Sequence, residues 1–409
     1  MLDKAYHAQC AAVNVHSSDP VERGRCRLTL LSLALGSFCI GTSEFASMGI
    51  LQLFSESLGI SIPTATNAVT AYAFGVVIGA PLVTLAAARL NRRTLLLMLM
   101  AQFVLGNVLS GLAANLEMFA LARFISGMPQ GAYFGAGAVV ATYVYGPGHT
   151  GKAFALVMMG LTIATIVGSP LATLLGQTVG WRNTYFTVSG LGVLSFLALM
   201  AFVPKTAALN GSSVIQELSA LRKGTVWMTM FVAALGVASI FAIYTFVGPL
   251  ITDVAMLEAG WIPIALAVFG IGMTAGNFLG GRLADAYPAR GLLLGFGVAV
   301  VVLAALATFG FKLPILFAGF FLVGATMFTA IPTIQVRLTK FAPEAPTLVG
   351  AMNLAALNLS NAIGAWSGGL AIASGFGILS AAWAGFCLTL TGLVVFTVTL
   401  THRPRLATA

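Results

Sequence analysis

Long apolar runs, separated by short polar or turn-rich segments, follow one another along almost the whole chain of 409 residues. A helix needs roughly 20 mostly apolar residues to cross the hydrocarbon core of a bilayer. The pattern predicts twelve membrane-spanning helices, numbered as spans 1 to 12, at 28–51, 66–88, 94–113, 117–142, 151–176, 183–203, 225–251, 260–284, 290–310, 313–338, 347–371 and 378–400. The predicted fold class is therefore an all-α membrane protein.

The longest internal polar stretch, 204–224, divides the spans into two sets of six. We expect a polar N-terminal tail (1–27) that is not a signal peptide, bundles at 28–203 and 225–400, a linker at 204–224 and a C-terminal tail at 401–409. In the linker, Ser213 and Gln216 have the spacing of a capping box. Val214, Leu218 and Leu221 follow at helical spacing, which predicts a short amphipathic helix on the membrane surface. An ordinary flexible linker is the alternative.

The composition limits the function classes. Hydrophobic residues make up 59% of the chain and charged residues 8%, whereas a soluble domain has about 25% charged residues. So little charge cannot cover a surface that faces water. The composition therefore excludes a soluble enzyme, a disordered chain and a nucleic-acid-binding domain.

The net charge of +9 is explained by where the basic residues lie. With the N-terminus inside, seventeen lysines and arginines fall in cytoplasmic segments, and only Arg182 and Lys312 fall in outer loops. Cytoplasmic loops of membrane proteins carry such an excess. We therefore expect a multi-pass protein with both termini in the cytoplasm, and no nucleic-acid partner.

Two charged residues lie well inside spans. Glu44 on span 1 and Arg123 on span 4 are each about 10 Å below the outer end of their helices, from a rise of about 1.5 Å per residue. A charge at this depth is costly unless it is paired or hydrated. One interpretation is that the two charged groups form a proton-coupling site, either as a direct pair or with a bound substrate between them. The other is a salt bridge that clamps spans 1 and 4, and the two are compatible.

Neighbouring positions on the same helix faces suggest a substrate site. Gln130 and Phe134 share the face of Arg123, and Met48 flanks the face of Glu44. Such a face suits a moderately polar organic molecule, although helix packing would equally explain Phe134 and Met48. Weaker candidates are polar residues of spans 7 and 11: Tyr244, Thr245, Asn353, Asn358 and Asn361.

Small residues recur every four positions on spans 2, 4, 5, 8 and 11, for example at Gly272, Gly276 and Gly280. These rows let helix backbones approach closely within lipid. Two interpretations of these rows are possible: static packing of the helices, or helices that slide against each other.

These features together resemble the major facilitator superfamily, over about residues 28–400. The turn Ala88–Arg93 and its echo Gly281–Asp285 resemble the family's basic loop motif, and Arg123–Gly127 resembles the span 4 arginine motif. Four residues resemble the span 5 motif of antiporters: Gly160, Gly168, Pro170 and Gly176. The stretches Thr42–Gly49 and Gly127–Gly135 are similar to the arabinose efflux permease-like group of drug:proton antiporters.

The resemblance implies the major facilitator fold, in which two six-helix bundles rock to give alternating access in the bacterial inner membrane. It implies a central cavity lined by spans 1, 4, 7 and 10, an interface formed by spans 2, 5, 8 and 11, and proton coupling through Glu44 and Arg123. It also implies a cytoplasmic gate motif, here Arg89, Arg92, Arg93 and Asp285. Four positions depart from the family: Thr84 and Ala172 stand where glycine is usual, Ala88 replaces the usual aspartate, and Gln130 stands where the group often has histidine.

We therefore expect a secondary transporter that exports small organic molecules such as drugs or sugars in exchange for protons. The alternative is a facilitator or importer of a sugar-like or other small solute, in which Glu44 and Arg123 only clamp the helices. A sensor or a membrane enzyme is disfavoured, because the tails are short and no catalytic set or metal cluster lies in the spans. No nucleotide-binding loop is present. We expect no cofactor and no metal, and a monomer whose partners are its small-molecule substrate, protons and membrane lipid.

Overall fold

The computed structural model describes residues 20–146, 150–211 and 214–402, with some side chains in these ranges left undescribed. The described part is helical and contains no strand. Eleven of the twelve predicted spans correspond to helices that are long and apolar enough to cross a membrane. The remaining one, span 4, is divided into two helices.

The first half of the chain forms spans 1 to 6. Its helices are α1 (Pro20–Gly49), α2 (Leu51–Leu58), α3 (Ile62–Ala86), α4 (Arg92–Leu112), α5 (Leu116–Gly127), α6 (Pro129–Tyr145), α7 (Thr150–Ile163), α8 (Ser169–Val179) and α9 (Trp181–Phe202). Spans 1, 2, 3 and 6 are α1, α3, α4 and α9. Span 4 is α5 with α6, and span 5 is α7 with α8, joined by a π-helical turn at Ala164–Gly168.

The linker and the second half follow the same plan. The helices are α10 (Val214–Ser219), α11 (Gly224–Gly236), α12 (Ala238–Tyr244), α13 (Val247–Pro249), α14 (Ile262–Ala286), α15 (Pro288–Phe309), α16 (Leu313–Phe341), α17 (Pro346–Ala371) and α18 (Ser380–His402). Span 7 is α11 with α12, and spans 8 to 12 are α14 to α18. Because the described residues cross twelve times, Pro20 and His402 lie on one face, which we call the terminal face; the other is the opposite face.

The division of span 4 has a local cause. Proline has no backbone N–H and cannot continue the hydrogen-bond ladder of a helix, so Pro129 leaves the carbonyl of Ile125 without its helical partner. Nε2 of Gln102 on span 3 lies 3.4 Å from that oxygen and donates to it. In lipid, a neighbouring side chain must satisfy such a freed group. The break lies between Arg123 and Gln130, in the middle of the candidate site.

The π-helical turn of span 5 lies directly before Pro170, the second residue of α8. A missing N–H at this position accounts for the irregular turn. The other residues of the predicted antiporter motif are contact positions for span 1. A Cβ at Gly160 would collide with the carbonyl oxygen of Ala34, and one at Gly168 with Oγ1 of Thr42. At Gly176 a Cβ would lie 2.7 Å from Cγ2 of Ile50.

The rows of small residues pack mainly within each half. On span 8, a Cβ at Gly272, Gly276 or Gly280 would collide with backbone carbonyls of span 10. On span 2, Gly75 and Gly79 face the carbonyls of Phe124 and Met128 on span 4 in the same way. Most of these glycines therefore serve close packing within one half, because their partners belong to the same half.

The halves nevertheless meet through spans 2, 5, 8 and 11. Near the terminal face, Ala80 of span 2 clusters with Ala351 and Ala355 of span 11. Toward the opposite face, Nε2 of Gln177 on span 5 donates to the carbonyl of Ala259 before span 8, at 3.3 Å. The halves therefore touch near both faces, and Glu44 and Arg123 are buried between these contacts.

The linker bridges the two halves on the terminal face. Nδ2 of Asn91, in the turn between spans 2 and 3, donates to the carbonyl of Thr206 and to Oδ1 of Asn210, both at 2.9 Å. At the far end of the linker, Nζ of Lys223 lies 2.7 Å from Oε1 of Glu344 between spans 10 and 11. The helix predicted for the linker is present as α10, although Ser213 lies outside the described residues.

We predict that Gly276→Ala destabilises the fold and that Gly281→Ala does not. The Cβ of the first variant would be forced into the backbone of Ala325, whereas nothing lies within 4 Å of the same position at Gly281 on the same helix. Overpacking of this kind costs about 1–3 kcal/mol. Thermal unfolding of the two purified variants in one detergent measures the difference. Equal melting temperatures would contradict the packing described for spans 8 and 10.

We also predict that the Lys223–Glu344 pair orders the linker. The hydrogen bond from Lys223 is the main reason why the pKa of the Glu344 carboxyl lies below its usual range, and Oγ of Ser219 adds a further one. A carboxyl whose pKa is lower in the folded state than in the unfolded state stabilises the fold at pH values above its unfolded-state pKa. This stabilisation is lost as the pH falls through the folded-state pKa. The ordering is therefore complete at neutral pH and is lost only in acid.

Amide hydrogen exchange of residues 215–222, corrected for intrinsic rates, tests this. At neutral pH, Glu344→Gln is expected to exchange severalfold faster than the wild type. Glu258→Gln, which removes an exposed carboxylate elsewhere, is the matched control and is expected to have no effect. An unchanged rate in Glu344→Gln would show that the ion pair does not order the linker.

Candidate functional site

Glu44 lies in the last third of α1, where it is 5% exposed. Its Oε2 accepts a hydrogen bond of 2.8 Å from Nε2 of Gln130, the second residue of α6. The break at Pro129 brings this amide to the start of a new helix. The structure therefore joins two of the predicted site residues directly, one from each of spans 1 and 4.

Arg123 is fully buried and is bound to the residue before Glu44. Its Nη1 donates to Oγ of Ser43 at 2.8 Å, and its Nη2 donates to the backbone carbonyl of Ser43 at 3.0 Å. Oγ of Ser43 in turn donates to Oδ1 of Asn107 on span 3, at 2.6 Å. This chain of hydrogen bonds ties spans 1, 3 and 4 together at one level.

Two tyrosine rings complete the surroundings of the guanidinium. Its carbon lies 4.3 Å from the ring centre of Tyr72 on span 2 and 5.3 Å from that of Tyr185 on span 6. A cation close to an aromatic face is stabilised by the ring quadrupole, most strongly when water is excluded. Arg123 of span 4 is thus held by three neighbouring spans, 1, 2 and 6.

Glu44 and Arg123 are neighbours without being a direct ion pair. Within the described part of the chain, the guanidinium donates to Ser43 and Ser126, and the Glu44 carboxylate accepts from Gln130. We call Ser43, Glu44, Arg123 and Gln130 the polar centre. In it, the attachment of Arg123 does not depend on the carboxylate of Glu44.

Tyr244 lies where the two halves meet. Its ring packs against Phe45 of span 1, at 5.3 Å between ring centres, and against Phe269 of span 8, at 5.0 Å. Its hydroxyl is 3.2 Å from Oγ of Ser169 on span 5. An aromatic residue of span 7 therefore contacts both halves beside the polar centre.

The other two predicted substrate contacts are buried near the centre. Phe134 lies one helical turn beyond Gln130 and packs against Tyr133, with 6.0 Å between ring centres. Met48 lies one turn beyond Glu44. Both belong to the hydrophobic core of the described residues.

Several buried polar atoms around the polar centre have no hydrogen-bond partner among the described residues. They are Oη of Tyr72, Oε1 of Gln130, and both amide atoms of Asn361 on span 11. A buried polar atom without a partner costs about 1–3 kcal/mol. This concentration of unpartnered atoms next to a carboxylate is typical of a site that receives a ligand, water or a proton.

The residues of the predicted gate motif lie at the terminal face in different environments. Arg89 is exposed, Nη1 of Arg92 donates to the carbonyl of Ala88 at 3.2 Å, and Arg93 donates to the carbonyl of Met200. The side chain of Asp285 lies outside the described residues. At Ala88, where the family aspartate is missing, the linker covers the turn, since a Cβ at Gly211 would collide with the Ala88 carbonyl.

Residues 33–365, more than half of the chain, match the profile of the Major Facilitator Superfamily. The chain belongs to this superfamily. It is therefore a multi-pass membrane transporter and not an enzyme.

Curated relatives extend over almost the whole chain. The Escherichia coli O157:H7 inner membrane transport protein YdhP is 38% identical, over 88% of this chain and 94% of its own length. The putative transporter AraJ of Escherichia coli K12 is 32% identical, over 85% and 88%. The chloramphenicol resistance protein of Streptomyces lividans is 31% identical, over 90% and 95%. These relatives fit the drug:proton antiporter group that the motifs resemble.

A solved structure agrees with the fold. The crystal structure of the human organic anion transporter MFSD10 superimposes with a TM-score of 0.66, over 92% of this chain and all of that one, at 14% identity. This superposition supports the major facilitator fold alone.

The sequence interpretation missed the residues that hold Arg123. Ser43 stands in a stretch that resembles the family, and Asn107 is an amide in the middle of an apolar span, which is a usable signal. Tyr72 and Tyr185 gave no such signal, because tyrosines are common in spans. Whether their rings face Arg123 depends on how four helices pack.

We predict that Arg123→Lys severely destabilises the protein. An ammonium cannot reproduce the two bonds to Ser43 together with the stacking on Tyr72, and breaking a buried charged network costs about 3–5 kcal/mol. Arg282→Lys is the control, since Arg282 also lies over an aromatic ring, that of Phe278, but is exposed. Yield and thermal unfolding in detergent measure both. A stable Arg123→Lys protein would contradict the anchoring role.

Proposed function

We propose that this transporter exports small organic molecules in exchange for protons, with Glu44 as the proton carrier. The observation that carries the proposal is the position of Glu44: a buried carboxylate, beside unpartnered polar atoms, near the boundary of the two halves. Ionisable groups inside membrane proteins commonly mark proton and substrate pathways. One proton moving down a 100 mV potential supplies about 2.3 kcal/mol.

The attachment of Arg123 supports separate roles for the two charges. Because Arg123 is held by Ser43, Tyr72 and Tyr185, its place is kept whether or not Glu44 is ionised. Glu44 is then free to gain and lose a proton without loss of the anchor. We assign Arg123 to fixing spans 1 and 4 and supplying a steady positive field.

We propose that substrate binds beside the polar centre, against Gln130, Phe134, Met48 and Tyr244. The aromatic contacts of Tyr244 with Phe45 and Phe269 supply an apolar wall at the boundary of the halves. The carboxylate of Glu44 and the amide of Gln130 supply a polar wall. An aromatic drug that carries a polar or cationic group fits this combination, and the drug-resistance and efflux names of some relatives favour it.

We further propose that residues 28–203 and 225–400 move as two bundles, joined by the linker 204–224, with both termini in the cytoplasm of the bacterial inner membrane. The excess of basic residues on the terminal face supports this orientation. Arg89, Arg92, Arg93 and Asp285 then lie at the cytoplasmic gate, and the rocking halves carry the substrate. We propose that the monomer is the working unit.

A facilitator or importer of a small solute remains the alternative. The anchoring of Arg123 favours it to the extent that this arginine has a structural role. In that case transport would not depend on the charge of Glu44.

We predict that Glu44→Gln abolishes uphill export while substrate binding is kept. The amide keeps the shape of the side chain but can neither gain nor lose a proton. Cells that express the wild type are expected to accumulate less ethidium than empty cells, and Glu44→Gln or a protonophore should remove this difference. Glu56→Gln, which neutralises an exposed carboxylate on the opposite face, is the matched control.

Chloramphenicol uptake is measured in the same cells, since one relative is a chloramphenicol resistance protein. If Glu44→Gln exports either compound as well as the wild type does, the proton-carrier role is refuted and the facilitator becomes the better account.

A further inference from the structure

We propose that Asn361 is a positioning residue that ties the charge state of Glu44 to contact between the two halves. This inference rests on the proposed function, in which Glu44 carries the proton. It names the group of the second half that responds to this proton.

The first argument is the position of Asn361 on α17. One row of this helix, with Ala351 and Ala355, packs against Ala80 of span 2. Another row packs against span 7, since a Cβ at Gly364 would collide with the carbonyl of Ala238. At 100° per residue, Asn361 falls between these rows. Its amide faces the Glu44 carboxyl from the other half of the protein.

The second argument is that this amide is buried and unpartnered. Asn361 is fully buried, and neither Oδ1 nor Nδ2 has a hydrogen-bond partner among the described residues. Asn358, one turn earlier on α17, differs in that its Nδ2 donates to the carbonyl of Leu354 in its own helix, at 3.1 Å. The donor of Asn361 is thus available to Glu44, whereas the donor of Asn358 is engaged within its own helix, although Oδ1 of Asn358 also has no partner among the described residues.

The third argument is the chemistry of the two charge states. An ionised carboxylate only accepts hydrogen bonds; it takes one from Nε2 of Gln130 and leaves Oε1 of the same amide unpartnered. Its remaining lone pairs favour a second donor, which the amide of Asn361, facing the carboxyl, can supply. The ionised form therefore holds span 11 of the second half to span 1 of the first.

Protonation reverses this preference. The proton binds one oxygen of Glu44, and the resulting O–H can donate to Oε1 of Gln130 while Nε2 of Gln130 still donates to the other oxygen. The acid and the amide then satisfy each other within the first half. Hydrogen bonds to neutral acceptors are roughly half as strong as those to charged ones, so Asn361 is released and the halves can separate.

The other titratable groups around Glu44 do not provide the same link. They are Tyr72 on span 2, Arg123 on span 4 and Tyr244 on span 7, with Tyr185 of span 6 on the far side beside Arg123. All but Tyr244 belong to the first half. The hydroxyl of Tyr244 contacts Ser169, and the described residues of spans 5, 8 and 11 bring no titratable side chain beside Glu44.

The test is the pH dependence of distances between the halves in purified protein in nanodiscs. Spin labels are placed at Leu90 and Arg282 on the terminal face, or at Ser57 and Lys312 on the opposite face, all exposed positions. The four native cysteines are first replaced by serine. The carbonyl stretch of the neutral acid in infrared spectra, assigned by its loss in Glu44→Gln, reports the proton on Glu44.

In the wild type, an open population at one face is expected to grow in step with protonation of Glu44. Asn361→Ala and Asn361→Leu should be open at all pH values, with the open-to-closed ratio raised about tenfold in the neutral range, as expected for loss of one hydrogen bond to a charged group. Neither change should have a further effect in the Glu44→Gln background. Asn358→Ala should behave like the wild type.

The inference is overturned if the Asn361 variants open in step with Glu44 as the wild type does, or if they have the same effect in the Glu44→Gln background. Two variants are used because alanine could impair folding, whereas leucine fills the space and removes both unpartnered atoms. If Glu44 takes up no proton at any pH, the proposed function itself fails. The infrared signal distinguishes that result from a failure of Asn361 alone.

Discussion

The anchoring of Arg123 is the interaction on which the polar centre depends. The interior of a bilayer offers no water to a guanidinium, so a buried arginine must find every partner within the protein. Ser43 accepts from it twice, and the rings of Tyr72 and Tyr185 face it. These contacts come from spans 1, 2, 4 and 6 and fix their relative position. Because Ser43 precedes Glu44, the same contacts set the place of the carboxylate.

Two adjacent residues of span 1 thus have different tasks. Ser43 is committed to Arg123 and Asn107, while Glu44 has a single direct hydrogen bond, from Gln130. A fully satisfied network would be rigid, whereas a buried carboxylate beside unpartnered amide atoms can change its bonds with its charge. Since Asn361 belongs to the other half, such a change can alter how the halves fit together. The halves touch near both faces, and the polar centre is buried between these contacts.

The sequence was enough to predict the spans, because the length of an apolar run directly reflects bilayer thickness. It also identified Glu44 and Arg123, since charges deep in apolar runs are conspicuous. It did not predict the break at Pro129 or the bond of Arg123 to Ser43, because both depend on which side chain of a neighbouring helix is within reach. The glycine rows were visible, but their partners were not. Gly276 faces Ala325 of its own half, and spacing along one helix cannot tell which neighbour approaches.

The most direct test of the account is proton release when a substrate binds. Purified protein in weakly buffered detergent solution, near the pH at which Glu44 is half protonated, is mixed with whichever of ethidium and chloramphenicol the cells export, and a pH indicator dye records the protons set free. The account predicts release of up to about half a proton per bound molecule by the wild type, because half of the Glu44 carboxyls carry a proton at that pH, and binding without release by Glu44→Gln. Equal release by both proteins would show that another group carries the proton and would contradict the central role of Glu44.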